Sequence, residues 1–199
     1  MGRSDVTVVR TGSANLASVL AALRRLGAVA SLTEEPSEVQ RATHLVLPGV
    51  GTLAAAMRKL TEDRLVEPLR ERVAAGRPTL AICLGMQMLL EGSEESDGVE
   101  GLCIVPGIAE RFPKGVRVPQ LGWNRIEVEA EAEILRDGYV YFANSYRLVA
   151  APEGWCVASS DYGGRFVAAV ERGSVIGCQF HPELSGEFGL GIIERWFKG

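Results

Sequence analysis

Cys83, in Thr79-Leu80-Ala81-Ile82-Cys83-Leu84-Gly85-Met86-Gln87-Met88-Leu89, closes an apolar run that restarts with helical periodicity. The pattern reads as a strand-to-helix elbow with a nucleophile at its tip, and the small Ala81 and Gly85 leave room for the tight turn. Free N–H groups and the dipole at a helix N-terminus favour the thiolate, the form that attacks carbonyls. Such a thiol needs a base. His181, in Gly177-Cys178-Gln179-Phe180-His181-Pro182-Glu183, stands where an apolar strand over 174–180 meets a proline. In an extended segment His181 and Glu183 project to the same side, so the carboxylate can orient the imidazole while the imidazole activates the thiol. A third segment, Leu45-Val46-Leu47-Pro48-Gly49-Val50-Gly51-Thr52, reads as a strand ending in a glycine-flanked loop. Its backbone N–H groups, with that of Leu84, are the simplest donors for the oxyanion that attack on a carbonyl creates. Gln87 lies one helical turn after Cys83, where its amide can face the same pocket.

Each signal has a plainer reading. Cys83 alone is a buried core cysteine, His181 alone a satisfied structural histidine, Gln87 a core hydrogen-bonding residue and Pro-Gly-Val-Gly a turn. Together they favour chemistry, because nucleophile, base, orienter and oxyanion donors all fall at strand ends. His44, before Leu45-Val46-Leu47, has no such company and reads as a surface residue at a strand start.

Positioning these residues requires a parallel sheet. Strand patterns at 6–10, 29–32, 43–47 and 79–82 alternate with helical patterns at 15–26, 53–60 and 65–75, two of them stopped by Gly27 and Gly76. The expected fold class is α/β: an open, mostly parallel central sheet with helices on both faces. Strand carboxyl ends then share one edge, where open sheets of this kind place their sites. From Arg111 the pattern turns to shorter β-like segments at 126–128, 139–143, 155–159 and 166–171, expected as antiparallel additions in the C-terminal half that return His181 to that edge. A short helix is expected at 192–197, with no repeats or linker, so residues 1–199 are read as one domain.

Composition bounds the function. The chain has 199 residues, 47% of them hydrophobic, and a net charge of −4 from interspersed acidic and basic residues. That suits one moderate domain and gives no electrostatic footprint for nucleic acid. The acidic stretch 91–100 reads as a solvated loop. Cys83, Cys103, Cys156 and Cys178 form neither a C-x-x-C pair nor a disulfide framework, and a working thiol fits a reducing compartment. Cys178 and His181 lack the second ligand pair a zinc site needs. No leader pattern opens the sequence and no apolar stretch approaches the roughly 20 residues of a membrane span, so a cytoplasmic location without membrane contact is expected.

The three chemical segments together resemble the class I (triad) glutamine amidotransferases over nearly the whole chain. Within that class the sequence is most similar to the glutaminase subunits of imidazole glycerol phosphate synthases. Pro48-Gly49-Val50-Gly51, Pro119-Gln120-Leu121-Gly122-Trp123-Asn124, the loop 12–16, Tyr141-Phe142-Ala143-Asn144-Ser145-Tyr146-Arg147 and Asp161-Tyr162-Gly163 carry that resemblance. It implies Cys83, His181 and Glu183 as the catalytic triad, and Val50, Gly51 and Leu84 around the oxyanion. Gly49 and Gln87, with the backbone of Ser145 and Tyr146, would hold glutamine. It also implies a cofactor-free thioester mechanism and a (β/α)₈-barrel cyclase partner in histidine biosynthesis, with Asn15, Trp123, Asn124 and Tyr141 at the interface. Trp123 as ordinary core and Tyr141 as ordinary strand packing are the competing readings there. Four residues depart from the usual pattern: Ala14 and Ala81 replace glycines, Asn144 replaces a common histidine and Leu184 a common lysine. A stand-alone cysteine γ-glutamyl hydrolase or peptidase, a glutaminase subunit of another amidotransferase and a non-catalytic binding subunit remain the alternative functions.

Overall fold

The computed structural model describes residues 5–12, 15–129 and 131–199. Ser13 and Ala14, in the first strand-to-helix loop, lie outside the described residues. The first half of the chain alternates as its hydrophobic pattern requires: β1 (Asp5–Val9), α1 (Leu16–Arg25), β2 (Val29–Thr33), α2 (Pro36–Arg41), β3 (His44–Gly49), α3 (Leu53–Glu62), α4 (Val66–Ala74), β4 (Thr79–Cys83) and α5 (Leu84–Leu89). Local chemistry sets the ends. The side chains of Asn15 and Thr52 accept backbone N–H bonds from Ser18 and Ala55 and so cap α1 and α3, and Pro36 opens α2. Gly27 and Gly76, at φ +79° and +66°, end α1 and α4.

The second half holds β5 (Gly92–Ser93), β6 (Ile108–Arg111), β7 (Gln120–Val128), β8 (Gly138–Asn144), β9 (Tyr146–Leu148), β10 (Cys156–Asp161), β11 (Arg165–Arg172) and β12 (Val175–Cys178). A 3-10 turn at Pro182–Leu184 and α6 (Gly186–Lys198) follow. The main path through the sheet runs β2-β1-β3-β4-β12-β11-β10-β7-β8. From β2 to β12 neighbours are parallel, and from β12 to β8 antiparallel. β5, β6 and β9 form a side branch that joins at β11.

Alternation along the strands divides the core between two faces. Leu45 and Leu47 pack with Leu53, Leu60 and Leu69 on one side, whereas Val46, Leu80 and Ile82 pack with Leu23, Ile192 and Trp196 on the other. Both faces of the parallel half are thus covered, the α/β arrangement its continuous apolar strands imply.

Several local expectations are corrected. β7 runs from Gln120 rather than 126, because its outward side chains include Leu121 and Trp123 and so hide the alternation from a hydrophobicity pattern. α6 begins at Gly186 rather than 192. Its glycines dilute the helical period, yet Gly189 is required there, since a Cβ would sit 2.1 Å from the Pro182 carbonyl oxygen. The short helix α2 had no apolar period long enough to show. The acidic stretch 91–100 is not simply solvated, for it carries β5 and the buried Ser93 and Ser96. His44 is no surface residue: its ring packs 5.3 Å from Trp196 and 5.4 Å from Phe197.

Candidate active site

Cys83 ends β4 at φ +55° and ψ −109°, a left-handed conformation that a non-glycine residue adopts only under strain of roughly 1–3 kcal/mol. The strained turn swings the chain from β4 directly into α5, leaving the thiol at the carboxyl edge of the sheet. Parallel pairing sets Gly49 of β3 opposite Cys83. Close packing behind the elbow explains Gly85, where an added Cβ would fall 1.9 Å from the Leu47 carbonyl oxygen. Ala81, though not the glycine common in such elbows, is small and fully buried.

β12 brings the base to the same edge. Its parallel register with β4 pairs Cys178 with Ile82, so the chain passes Cys83 as it continues to His181. The His181 N–H donates to the Tyr141 carbonyl at 2.9 Å, and the Ser185 hydroxyl donates to the His181 carbonyl at 2.6 Å. Glu183 meets the imidazole through the 3-10 turn rather than along an extended strand, with Oε1 2.9 Å from Nδ1. Both side chains are shielded from solvent. Burial pulls the His181 pKa down, but hydrogen bonds to Cys83 and Glu183, reinforced by their negative charge, outweigh it and push the imidazole up to about 10. Cys178, fully buried near Glu183 and Glu171, is driven the other way: burial above all raises its thiol well beyond the usual range and makes it inert.

A pocket opens at the elbow. Val50, Gly51, Cys83, Leu84, Gln87 and Tyr146 line it, so most of the expected oxyanion and substrate residues meet around one thiol. Gly49 contributes through its pairing with Cys83, and Ser145 lies between two lining residues without lining the pocket itself. Three lining or supporting residues escaped the sequence. Glu95 reaches the pocket from the acidic stretch, which has no local signal for a site. Asn144, noted only as a departure, also lines it; its Nδ2 donates to the Tyr146 carbonyl at 3.0 Å. Gln179, 1% exposed, donates through Nε2 to the Cys83 sulfur at 3.8 Å and accepts from Gln87 Nε2 at 2.9 Å. Its position two residues before His181 in a strand was a usable signal, since alternate residues share a face.

The expected interface residues lie outside the pocket. Trp123 is 58% exposed, so the core reading fails, and its ring stands edge-on to Tyr141 at 6.2 Å between centroids. Leu121, Tyr139 and Leu184 are exposed as well. Asn124 donates to the Asp161 carbonyl at 2.7 Å, and Asn15 is the cap of α1. Cys83, Cys103 and Cys178 are free thiols, and among the described residues no three His, Cys, Asp or Glu side chains cluster as metal ligands. No helix of the described residues is long and apolar enough to cross a membrane.

A family model described as glutamine amidotransferase class-I matches residues 8–198. The chain belongs to this family. Among curated relatives of this glutamine amidotransferase, an imidazole glycerol phosphate synthase subunit HisH from Streptococcus gordonii is 42% identical over 194 residues, covering 95% of this chain and 93% of that protein. The chloroplastic imidazole glycerol phosphate synthase hisHF of Arabidopsis thaliana is 40% identical over 200 residues, and the chain spans only 34% of its length. A solved structure described as a glutamine amidotransferase superposes with a TM-score of 0.76 at 22% identity, over 96% of this chain and 98% of that one. That likeness extends the family assignment to the fold: an α/β sheet with flanking helices.

Proposed function

We propose that the chain, acting as one domain, hydrolyses glutamine at Cys83 and hands the ammonia to a (β/α)₈-barrel cyclase in histidine biosynthesis. The observation that carries the proposal is the strained Cys83 elbow facing a pocket, with His181 and its Glu183 partner behind it. The relatives' names supply the acceptor reaction. Glu183 holds the imidazole through Nδ1 and leaves the opposite ring nitrogen for Cys83. Raised to about 10, His181 keeps the proton it takes from the thiol.

The thiolate adds to the glutamine carboxamide carbon. N–H groups of Leu84 and of the Val50–Gly51 loop receive the oxyanion, each such donor being worth about 100- to 1000-fold in rate. Collapse breaks the C–N bond as His181 returns its proton to the nitrogen, releasing ammonia and leaving a γ-glutamyl thioester. Neutral His181 then takes a proton from water, whose oxygen attacks the thioester; a second oxyanion collapses to glutamate, and the sulfur departs to regenerate the pair. Gln87 and Glu95 offer acceptors for the α-ammonium group, while the backbone around Ser145 and Tyr146 takes the carboxylate.

Ammonia released into bulk water would protonate and be lost, which is why the site needs a docked acceptor. The exposed apolar group of Leu121, Trp123, Tyr139 and Leu184 supports that docking, with the Tyr141 ring edge-on to Trp123, and Asn124 and Asn15 complete the proposed interface. The acceptor enzyme would make imidazole glycerol phosphate and aminoimidazole carboxamide ribotide. A reducing cytoplasm is the compartment that would keep the proposed thiol nucleophile active. The test is glutamate release from glutamine by the chain alone and with the barrel cyclase plus its ribonucleotide substrate, with Cys83→Ala as blank. Low activity that rises sharply in the complex is expected. Equal activity with and without the partner would reassign the chain to an independent hydrolase, and activity in the blank would overturn the mechanism.

A further inference from the structure

We propose that Gln179 is a positioning residue that links the charge on the Cys83 sulfur to recognition of the substrate's α-ammonium group. The inference rests on the glutamine reading of the pocket and assigns a device within it. Gln179 follows β12 directly, is almost fully buried, and is fixed by its own N–H, which donates to the Ala168 carbonyl at 2.8 Å. Its carboxamide spans two partners: Nε2 points to Cys83 Sγ at 3.8 Å, and Oε1 receives Gln87 Nε2 at 2.9 Å.

A carboxamide has one donor end and one acceptor end, so a chain of two of them has a direction. An anionic sulfur only accepts hydrogen bonds. It therefore demands the NH₂ end of Gln179, which turns Gln179 Oε1 toward Gln87. That oxygen in turn demands the NH₂ end of Gln87, and Gln87 Oε1 is the amide atom left for the pocket that Gln87 lines. With both amides reversed, the Gln179 oxygen would face the sulfur anion and the Gln87 NH₂ group would face the ligand's ammonium, an unfavourable contact at each end.

The rest of the pocket matches the first direction. Glu95 lines it and adds a second acceptor suited to an ammonium group. His181, on the other side of Cys83, supplies the positive charge that balances the sulfur. Coupling of this kind is reciprocal: an ammonium group bound at Gln87 favours the anionic sulfur by the same factor that the anionic sulfur favours the ammonium. A ligand lacking the α-amino group would find the same cleft and lose the coupling.

The test labels Cys83 covalently and so does not depend on turnover. The reagents are 6-diazo-5-oxo-L-norleucine, a glutamine-shaped diazoketone that alkylates a thiol with loss of N₂, its analogue lacking the amino group, and iodoacetamide. Adduct formation is followed by mass, with Cys83→Ala as blank. The ratio of the two diazoketone rates reads ammonium recognition, and being a ratio within one variant it cancels any partly unfolded fraction. Iodoacetamide reads the bare nucleophile.

Gln179→Leu is expected to lower the ratio about tenfold, as fits loss of a hydrogen bond to a charged group, and to slow iodoacetamide labelling. Gln179→Glu still accepts from Gln87 but cannot donate to the sulfur, so the ratio should hold while iodoacetamide labelling slows. An unchanged ratio in Gln179→Leu, or an equal collapse in both variants, overturns the proposal. A ratio near one in the unaltered chain would instead bring down the glutamine reading and this inference with it.

Discussion

His181 makes two contacts that both favour its protonated form while burial opposes them, and its pH behaviour reports which side wins. Its ordinary value of 6.5 in the unfolded chain rises to about 10 in the folded one, because hydrogen bonds to Cys83 and Glu183 outweigh the burial that lowers it. A raised base stabilises the fold fully below 6.5 and loses that contribution as pH climbs through about 10. The urea midpoint of the unaltered chain should therefore exceed that of His181→Gln most at pH 6, and the gap should narrow steadily toward pH 10. A gap that widens with pH would contradict the imidazole's contacts. Much of this residue-level geometry was readable beforehand. Cys83, His181 and Glu183 announce themselves through type and immediate neighbours, a thiol at a strand-helix switch and a His-x-Glu at a strand end. Gln179 showed itself only through its place two residues before His181, and Glu95 not at all, because a loop path brings it to the pocket and leaves no period in the chain.

Among the elements, α4 is tied down by one buried cation. Arg72, 2% exposed, donates to the carbonyls of Val39, Ala42, Thr43 and Pro78 and to the Thr79 hydroxyl. It thereby joins α4 to the end of α2 and to the starts of β3 and β4, the two strands that carry Gly49 and Cys83 to the pocket. Burial, with a smaller push from Arg77, lowers it to about 10, still charged at neutral pH. Arg72→Met should cost on the order of 3 kcal/mol or more in urea unfolding, since it removes five hydrogen bonds made by one buried cation. A loss below about 0.5 kcal/mol, the size of an ordinary surface change, would show the clip to be ornamental. At this scale the parallel half was legible because buried strands read as short apolar runs between periodic helices. β7 and α6 were blurred for physical reasons: an outward-facing Trp123 and Leu121 break polar-apolar alternation, and Gly189 serves a close approach rather than the helix period.

For the molecule as a whole, the outward group of Leu121, Trp123, Tyr139 and Leu184 stands on the same flank as the His181 loop, which hydrogen-bonds to Tyr141. Trp123→Ala should weaken association with the proposed barrel cyclase partner by about tenfold or more, as loss of a central aromatic anchor does, while leaving the melting temperature within about 2 °C. Undiminished affinity in calorimetry would move the interface elsewhere. The alternation of elements could announce a sheet, but not the position of its members, and the placement of β12 between β4 and β11 joins a segment near residue 178 to one near residue 82. That placement governs the order in which the molecule can be made. Until β12 has emerged from the ribosome, β4 waits with an unpaired edge in what will become the middle of the sheet, a template for wrong partners. The same late strand delivers His181. Until it is threaded in, the nascent chain holds a thiol elbow without the proposed base beside it, so on the proposed mechanism the ability to split an amide arrives only with the closing of the sheet.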